Sequence, residues 1–245
     1  MSAWHRALRA AHVLMTPSGA RALLTWPTFS ITSFEMLRNL SRQGIQPRTI
    51  IDIGANNGQF GVAAAKTFPR SVVHSFEPLP ECVDRLERIA KAIPNLHVHP
   101  RAAGETVGQI ALYRNVDSRA TSVLKLGATH REIFPHARQL DCITVPVTTL
   151  DHEFAASSFD EPVLLKLDVQ GYEASVLAGA SNLLRRVEWL VLETSFRPMY
   201  DGEVVFLDLL ERVRNFGFRF LRPIGWLQDD ETGEIVQMDA LFGRD

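Results

Sequence analysis

The sequence predicts an α/β protein, a mostly parallel sheet with helices on both faces, preceded by N-terminal helices. Three observations predict it. Beyond residue 47, short runs of β-branched and apolar residues alternate with stretches of helical period. Those runs are continuously apolar, as strands buried on both faces must be. A 46% hydrophobic content over 245 residues supplies ample core for one large domain.

The elements follow in order. Residues 2–15 form an amphipathic pattern, with Trp4, Ala7, Leu8, Ala11 and Leu14 on one face. A second helix runs over 18–25, with Thr16 as cap and Pro17 at its first position, and a third over 31–43 ends at Gly44. These place an N-terminal helical extension at 1–46 and the main domain at 47–245. Strands are predicted at 49–53, 71–76, 96–99, 163–167 and 187–192, with helices at 59–68, 80–93, 173–186 and 204–216 between them. Two final strands, about 217–221 and 235–242, have no helix between them and predict an antiparallel pair at the sheet edge. Between strands at 110–114 and 142–147 lies a polar stretch, 115–139, long enough to be a substrate-facing insert.

Composition excludes several classes. With 26 Lys plus Arg against 28 Asp plus Glu the net charge is −2, which supplies no basic field for nucleic acid. Cys82 and Cys142 read as two buried thiols, too few for a disulfide framework or a four-cysteine zinc site. No run approaches the roughly 18 apolar residues of a membrane span, and no clean signal sequence is present, so the expected location is cytoplasmic. The Arg residues of the first helix offer a peripheral membrane contact as the alternative.

The strongest local signal is the strand–turn–helix D-I-G-A-N-N-G-Q-F-G at 52–61. Gly54 and Gly58 allow a tight turn and close approach of a ligand, beside free N–H groups at a helix start. Asn56 occupies the position where a dinucleotide fingerprint needs glycine, and no G-K-[ST] is present, which argues against pyrophosphate. Asp52 suits an ammonium group instead. Glu77 follows 19 residues after Gly58, at the end of the second strand, where a carboxylate can take both hydroxyls of a ribose. Adenosine with an amino-acid tail describes S-adenosylmethionine. Asp168, at the end of the strand next to the switch point, faces a second substrate, and Glu173 opens the following helix.

These residues make the sequence similar to the FkbM-type methyltransferases of the class I S-adenosylmethionine-dependent superfamily. The resemblance is carried by 52–61, F-E-P at 76–78, T-S-V-L at 121–124, T-L-D at 149–151, L-K-L-D-V-Q-G-Y-E at 165–173 and Q-M-D-A-L-F at 237–242. It implies a Rossmann-like, seven-stranded sheet of order 3-2-1-4-5-7-6 with its last strand antiparallel. It also implies O-methylation of a sugar, glycolipid, polysaccharide or natural product, with a small-molecule or glycan acceptor. The implied cofactor residues are Asp52, Gly54, Ala55, Asn56, Gly58, Gln59, Phe60, Glu77 and Pro78, with adenine near Ala102, Ala103 and Gly104. At the third motif Gln170 stands where the family commonly carries glutamate.

An alcohol needs a proton acceptor as it attacks, and Asp168, Glu173, His130 and His136 are the candidates. Magnesium held by Asp168 with Glu173 or Glu193 is the alternative way to activate it. Tyr200 and Trp226 are candidates for stacking on a sugar ring, and Asp239 for facing the acceptor. A catalytically silent cofactor-binding module and a nucleotide-dependent oxidoreductase are the competing functions.

Overall fold

The computed structural model describes residues 11, 13–134, 136–155, 159–229 and 231–244. Most of the helix expected at 2–15, including Trp4, Ala7 and Leu8, lies outside the described residues. Helix α1 (Pro17–Thr25) starts as expected, with the Thr16 side chain accepting from Gly19 N–H and Pro17 at the first position. Helix α2 (Ile31–Arg42) ends at Gly44, whose φ of +83° only glycine adopts freely. The Gly44 N–H donates to Ser41 O and the Ile45 N–H to Leu40 O, the paired bonds of a Schellman stop.

The chain then enters β1 (Thr49–Ile53), α3 (Gln59–Thr67), β2 (Val72–Phe76), α4 (Pro80–Ala90) and β3 (Leu96–His99). An inserted group follows: β4 (Ala102–Ala103), β5 (Gly108–Asn115), α5 (Ala128–Ile133), β6 (Gln139–Thr148) and α6 (Leu150–Glu153). The chain returns through β7 (Val163–Leu167), α7 (Glu173–Ala178), β8 (Val187–Ser195), α8 (Phe206–Asn215), β9 (Phe218–Gln228) and β10 (Ile235–Arg244). The main sheet has the order β3-β2-β1-β7-β8-β10-β9, the predicted order, with β10 antiparallel to both neighbours. A smaller three-stranded sheet, β4-β6-β5, forms from the insert.

Pleat parity divides the core. Ile51, Ile53, Leu165 and Leu167 face α7 and α8, while Ile50, Leu164 and Val191 face α2 and α3. Met36, Leu37 and Leu40 of α2 are buried in the second layer, each Leu removing roughly 1.5–3 kcal/mol of apolar surface from water. The long helix expected at 173–186 is instead six residues, followed by a 3-10 turn at Leu183–Arg186. Gly179 ends it: a Cβ there would sit 2.0 Å from the Gly104 carbonyl oxygen, so the backbones touch where a helix would need room. Cys82 is buried, but Cys142 is exposed on the outer face of β6.

Candidate functional site

Strand order reverses between β1 and β7, and the carboxyl ends of these two strands and β2 open into a cleft of about 200 Å³. Gly54 and Asn56 line it from the turn after β1, Glu77 and Pro78 from the end of β2, Ala102 and Ala103 from β4, and Asp168 and Gln170 from the end of β7. Among the residues expected to bind or react, Gly54, Asn56, Glu77, Pro78, Ala102, Ala103, Asp168 and Glu193 thus meet in one place.

Gly54 has φ +83°, and a Cβ on it would lie 1.9 Å from the Asp168 carbonyl oxygen, so β1 and β7 close on each other only because it has none. Asn56 also adopts a left-handed φ, +49°. Its N–H donates to Glu77 Oε2 at 2.6 Å, while Leu79 N–H donates to Glu77 Oε1 at 2.8 Å. Burial nevertheless pushes the Glu77 carboxyl up to about 7, because those two donors do not replace the lost water. Each carboxylate oxygen retains a lone pair for a ligand hydroxyl.

The remaining expected residues lie elsewhere. Asp52 is fully buried, and parity turns it away from the cleft, beneath α3. There it accepts from Ser75 Oγ at 3.2 Å and lies 3.7 Å from Lys166 Nζ, its registered neighbour on β7. The ammonium expected beside Asp52 is therefore a lysine of the chain itself. Phe60 packs under that ammonium, 5.1 Å from ring centroid to Nζ, and Ala55, Gln59 and Gly58 support the turn without lining the cleft. Gly58 caps α3 with φ +83°, where a Cβ would strike Leu86.

Glu173 does not face the cleft. Its Oε1 accepts from Val169 N–H at 2.9 Å, and its buried carboxyl, pushed up to about 8 by desolvation, shapes the 168–173 turn. His130 is buried between Phe134 and Tyr200 rather than lining the cleft. Tyr200 is itself 1% exposed and donates its hydroxyl to Gln170 Oε1 at 2.7 Å, so it has no face free for a sugar.

Lys166 is the residue that sequence reasoning missed. Its Nζ donates to Asp168 Oδ2 at 2.9 Å. Burial alone would raise the Asp168 carboxyl, but the adjacent ammonium outweighs it and holds the group below the ordinary carboxylate range. Burial likewise opposes the charge on Lys166, yet Asp168 and Asp52 keep it protonated. Glu193, which also lines the cleft, is pushed well up by burial and by the charges of Asp168 and Asp239. Asp239 faces Glu193 across β8 and β10 and is raised to about 6, chiefly by burial.

The insert roofs the cleft, as the polar stretch suggested. Ser118 and Arg119 from a 3-10 turn, with Thr121, Ser122 and Val123, line it from above. Ser118 Oγ donates to Asn56 Oδ1 at 3.1 Å, and Ser122 Oγ to Gln170 O at 2.7 Å. Arg101 and Arg119 also line the cleft, but each is already paired, with Glu153 at 3.3 Å and Asp117 at 2.7 Å. Magnesium finds no fitting donor set: among the described residues no three His, Cys, Asp or Glu side chains are grouped to hold a metal. Nor, among them, is any helix long and apolar enough to cross a membrane.

Comparison with known proteins gives the family and the fold. The family model of the FkbM methyltransferase domain matches residues 52–220. The 2-O-methyltransferase NoeI of Sinorhizobium fredii is 23% identical over 173 residues, 68% of this chain and 71% of that protein. The hexuronic acid methyltransferase AglP of Haloferax volcanii is 23% identical over 160 residues, 65% of this chain but only 61% of its own length. Among solved structures, the N-terminal domain of EvdMO1, crystallised in the presence of SAH and D-fucose, shares the fold with a TM-score of 0.50 at 13% identity. That match covers 87% of this chain and 82% of the other.

Proposed function

The chain belongs to the FkbM methyltransferase family, and from that premise we propose that it is an S-adenosylmethionine-dependent O-methyltransferase acting on a hydroxyl of a sugar or sugar-bearing acceptor. The observation that carries this reading is the set of carboxylates lining the cleft. Glu77, Asp168 and Glu193 border a ligand there; Asp168 is anionic, Glu77 becomes so above about pH 7, and each of the two lining arginines is paired with an acid. Above about pH 7 such a lining disfavours a pyrophosphate and favours a cationic donor. It weighs against the oxidoreductase alternative.

The residues present fit that donor. Glu77 takes the ribose hydroxyls, Gly54 and Asn56 border the amino-acid tail, and the apolar shelf of Ala102, Ala103 and Leu112 suits adenine. Bound there, S-adenosylmethionine supplies an electrophilic methyl on a sulfonium. The chain's task is then alignment of the acceptor oxygen with that carbon and acceptance of one proton. Asp168 is the group placed for it. It is anionic and borders the cleft, so it accepts the hydroxyl hydrogen bond and takes the proton as the O–C bond forms and the C–S bond breaks. The carboxylate charge and the sulfonium charge are extinguished together. A weak base suffices, because the hydroxyl becomes strongly acidic only once the carbon is bonded.

The relatives named for 2-O-methylation and for hexuronic acid methylation support a sugar acceptor. The test is transfer of labelled methyl from S-adenosylmethionine to a panel of neutral sugars, deoxysugars and hexuronic acids. The expected product is an alkali-stable methyl ether. Label appearing only as an alkali-labile ester, or no cofactor consumption with any acceptor, would overturn the reading.

A further inference from the structure

Gln170 interrupts the pattern of its motif, and its surroundings give it a task. Its φ of +58° is left-handed, a conformation that costs a non-glycine residue about 1–2 kcal/mol. The bend swings the side chain back over the ends of β7 and β8. There Nε2 donates to Asp168 Oδ1 at 2.8 Å and to Glu193 Oε2. The anionic Asp168 carboxylate can only accept, which turns Nε2 toward it and leaves Oε1 to accept from the Tyr200 hydroxyl. Ser122 Oγ clamps the backbone by donating to Gln170 O. On the far side of Asp168, Lys166 Nζ holds Oδ2.

We infer that Gln170 is a positioning residue: its amide, opposite Lys166, fixes the Asp168–Glu193 pair with two N–H donors at the point where carboxylates would otherwise converge on a divalent cation. The pair therefore works without a metal. Resting on the function proposed above, this explains why a glutamine serves where the family pattern has glutamate. An ionised glutamate at this position has no hydrogen to give. It would add a third carboxylate at the same point and leave a cation as the means of relieving the repulsion.

The test is titration of the full chain with Mn2+ alone, followed by calorimetry and electron paramagnetic resonance. The native chain should show no saturable Mn2+ binding at millimolar concentrations. Gln170→Glu should bind Mn2+ at least tenfold more tightly than the native chain, and the gain should vanish when Asp168→Asn is added. With an acceptor from the sugar panel, chelator should leave native kcat unchanged. Gln170→Glu should lose at least tenfold in kcat, with part of it restored by Mn2+ and little change in KM for S-adenosylmethionine. Saturable Mn2+ binding by the native chain that Asp168→Asn abolishes would overturn the inference, whether or not the glutamate variant folds. A folded Gln170→Glu chain with native kcat and no gain in Mn2+ binding would overturn it as well. S-adenosylhomocysteine binding, measured on the same samples, separates the two readings. A native chain that binds it while the Mn2+ results fail refutes this inference alone, and one that does not bind it refutes the proposed function.

Discussion

Lys166 interrupts an otherwise apolar strand, and that interruption was the legible trace of the buried charge row beneath α3. A lysine is almost never fully buried unless paired, and the acids at 52 and 168 were the available partners. Asp168 lies two residues further along the chain, whereas the contact with Asp52 depends on the β1–β7 register, which pairs Asp52 with Lys166 and is not readable locally. Lys166→Met should therefore destabilise the fold by about 3–5 kcal/mol at neutral pH, because Asp52 is left buried without its cation and Asp168 loses its ammonium donor. Adding Asp52→Asn should recover much of that loss in urea unfolding, and additive losses would show that the two are not coupled. Glu77 carries a different prediction. Its carboxyl sits near 7 in the free protein, above its unfolded value, so it is protonated below that pH and must release the proton to accept from a ribose. Affinity for S-adenosylhomocysteine should fall as pH drops below about 7, by up to about tenfold per unit, and Glu77→Gln should bind more weakly with a flatter profile. A native profile that is flat between pH 5 and 8 contradicts the ribose assignment.

At the scale of elements, the strands and helices that carry Gly54, Glu77 and Asp168 were readable because their apolar runs and turn residues are local. The roof was readable only as a polar stretch. Its Thr121-Ser122-Val123 motif could be quoted, but nothing local indicates that Ser118 reaches Asn56 or Ser122 reaches Gln170, 62 and 48 residues away in the chain. Two of the proton-acceptor candidates lie away from the cleft for a related reason. His130 and Glu173 are titratable and near the motif in sequence, yet tertiary packing turns one into the layer with Tyr200 and uses the other to hold its own turn. The roof is tied down at its far end by Gly127 N–H donating to Met199 O at 2.8 Å and Asp201 N–H to Lys125 O at 2.9 Å. Its two serine contacts close the cleft. Ser118→Ala combined with Ser122→Ala should weaken S-adenosylhomocysteine binding roughly tenfold while leaving thermal stability nearly unchanged. Equal affinity would mean that the roof plays no part in holding the donor.

For the whole molecule, the sheet order and the insert produce one site by bringing together segments from residue 53 to residue 193. Helix α2 packs within the second core layer and contributes no residue to the lining of the cleft, so its contribution is stability. Leu37 is 0% exposed, and Leu37→Ala should cost about 2–5 kcal/mol without altering ligand affinity in the remaining folded protein. The proposed function requires the crevice to take a cationic adenosine donor rather than a pyrophosphate. Calorimetric titration of the full chain with S-adenosylhomocysteine, S-adenosylmethionine and NADH at pH 8 measures this directly. The account predicts one saturable site for each of the first two ligands, lost or greatly weakened in Glu77→Ala, and no binding of NADH. Saturable binding of NADH with none of S-adenosylmethionine would contradict it.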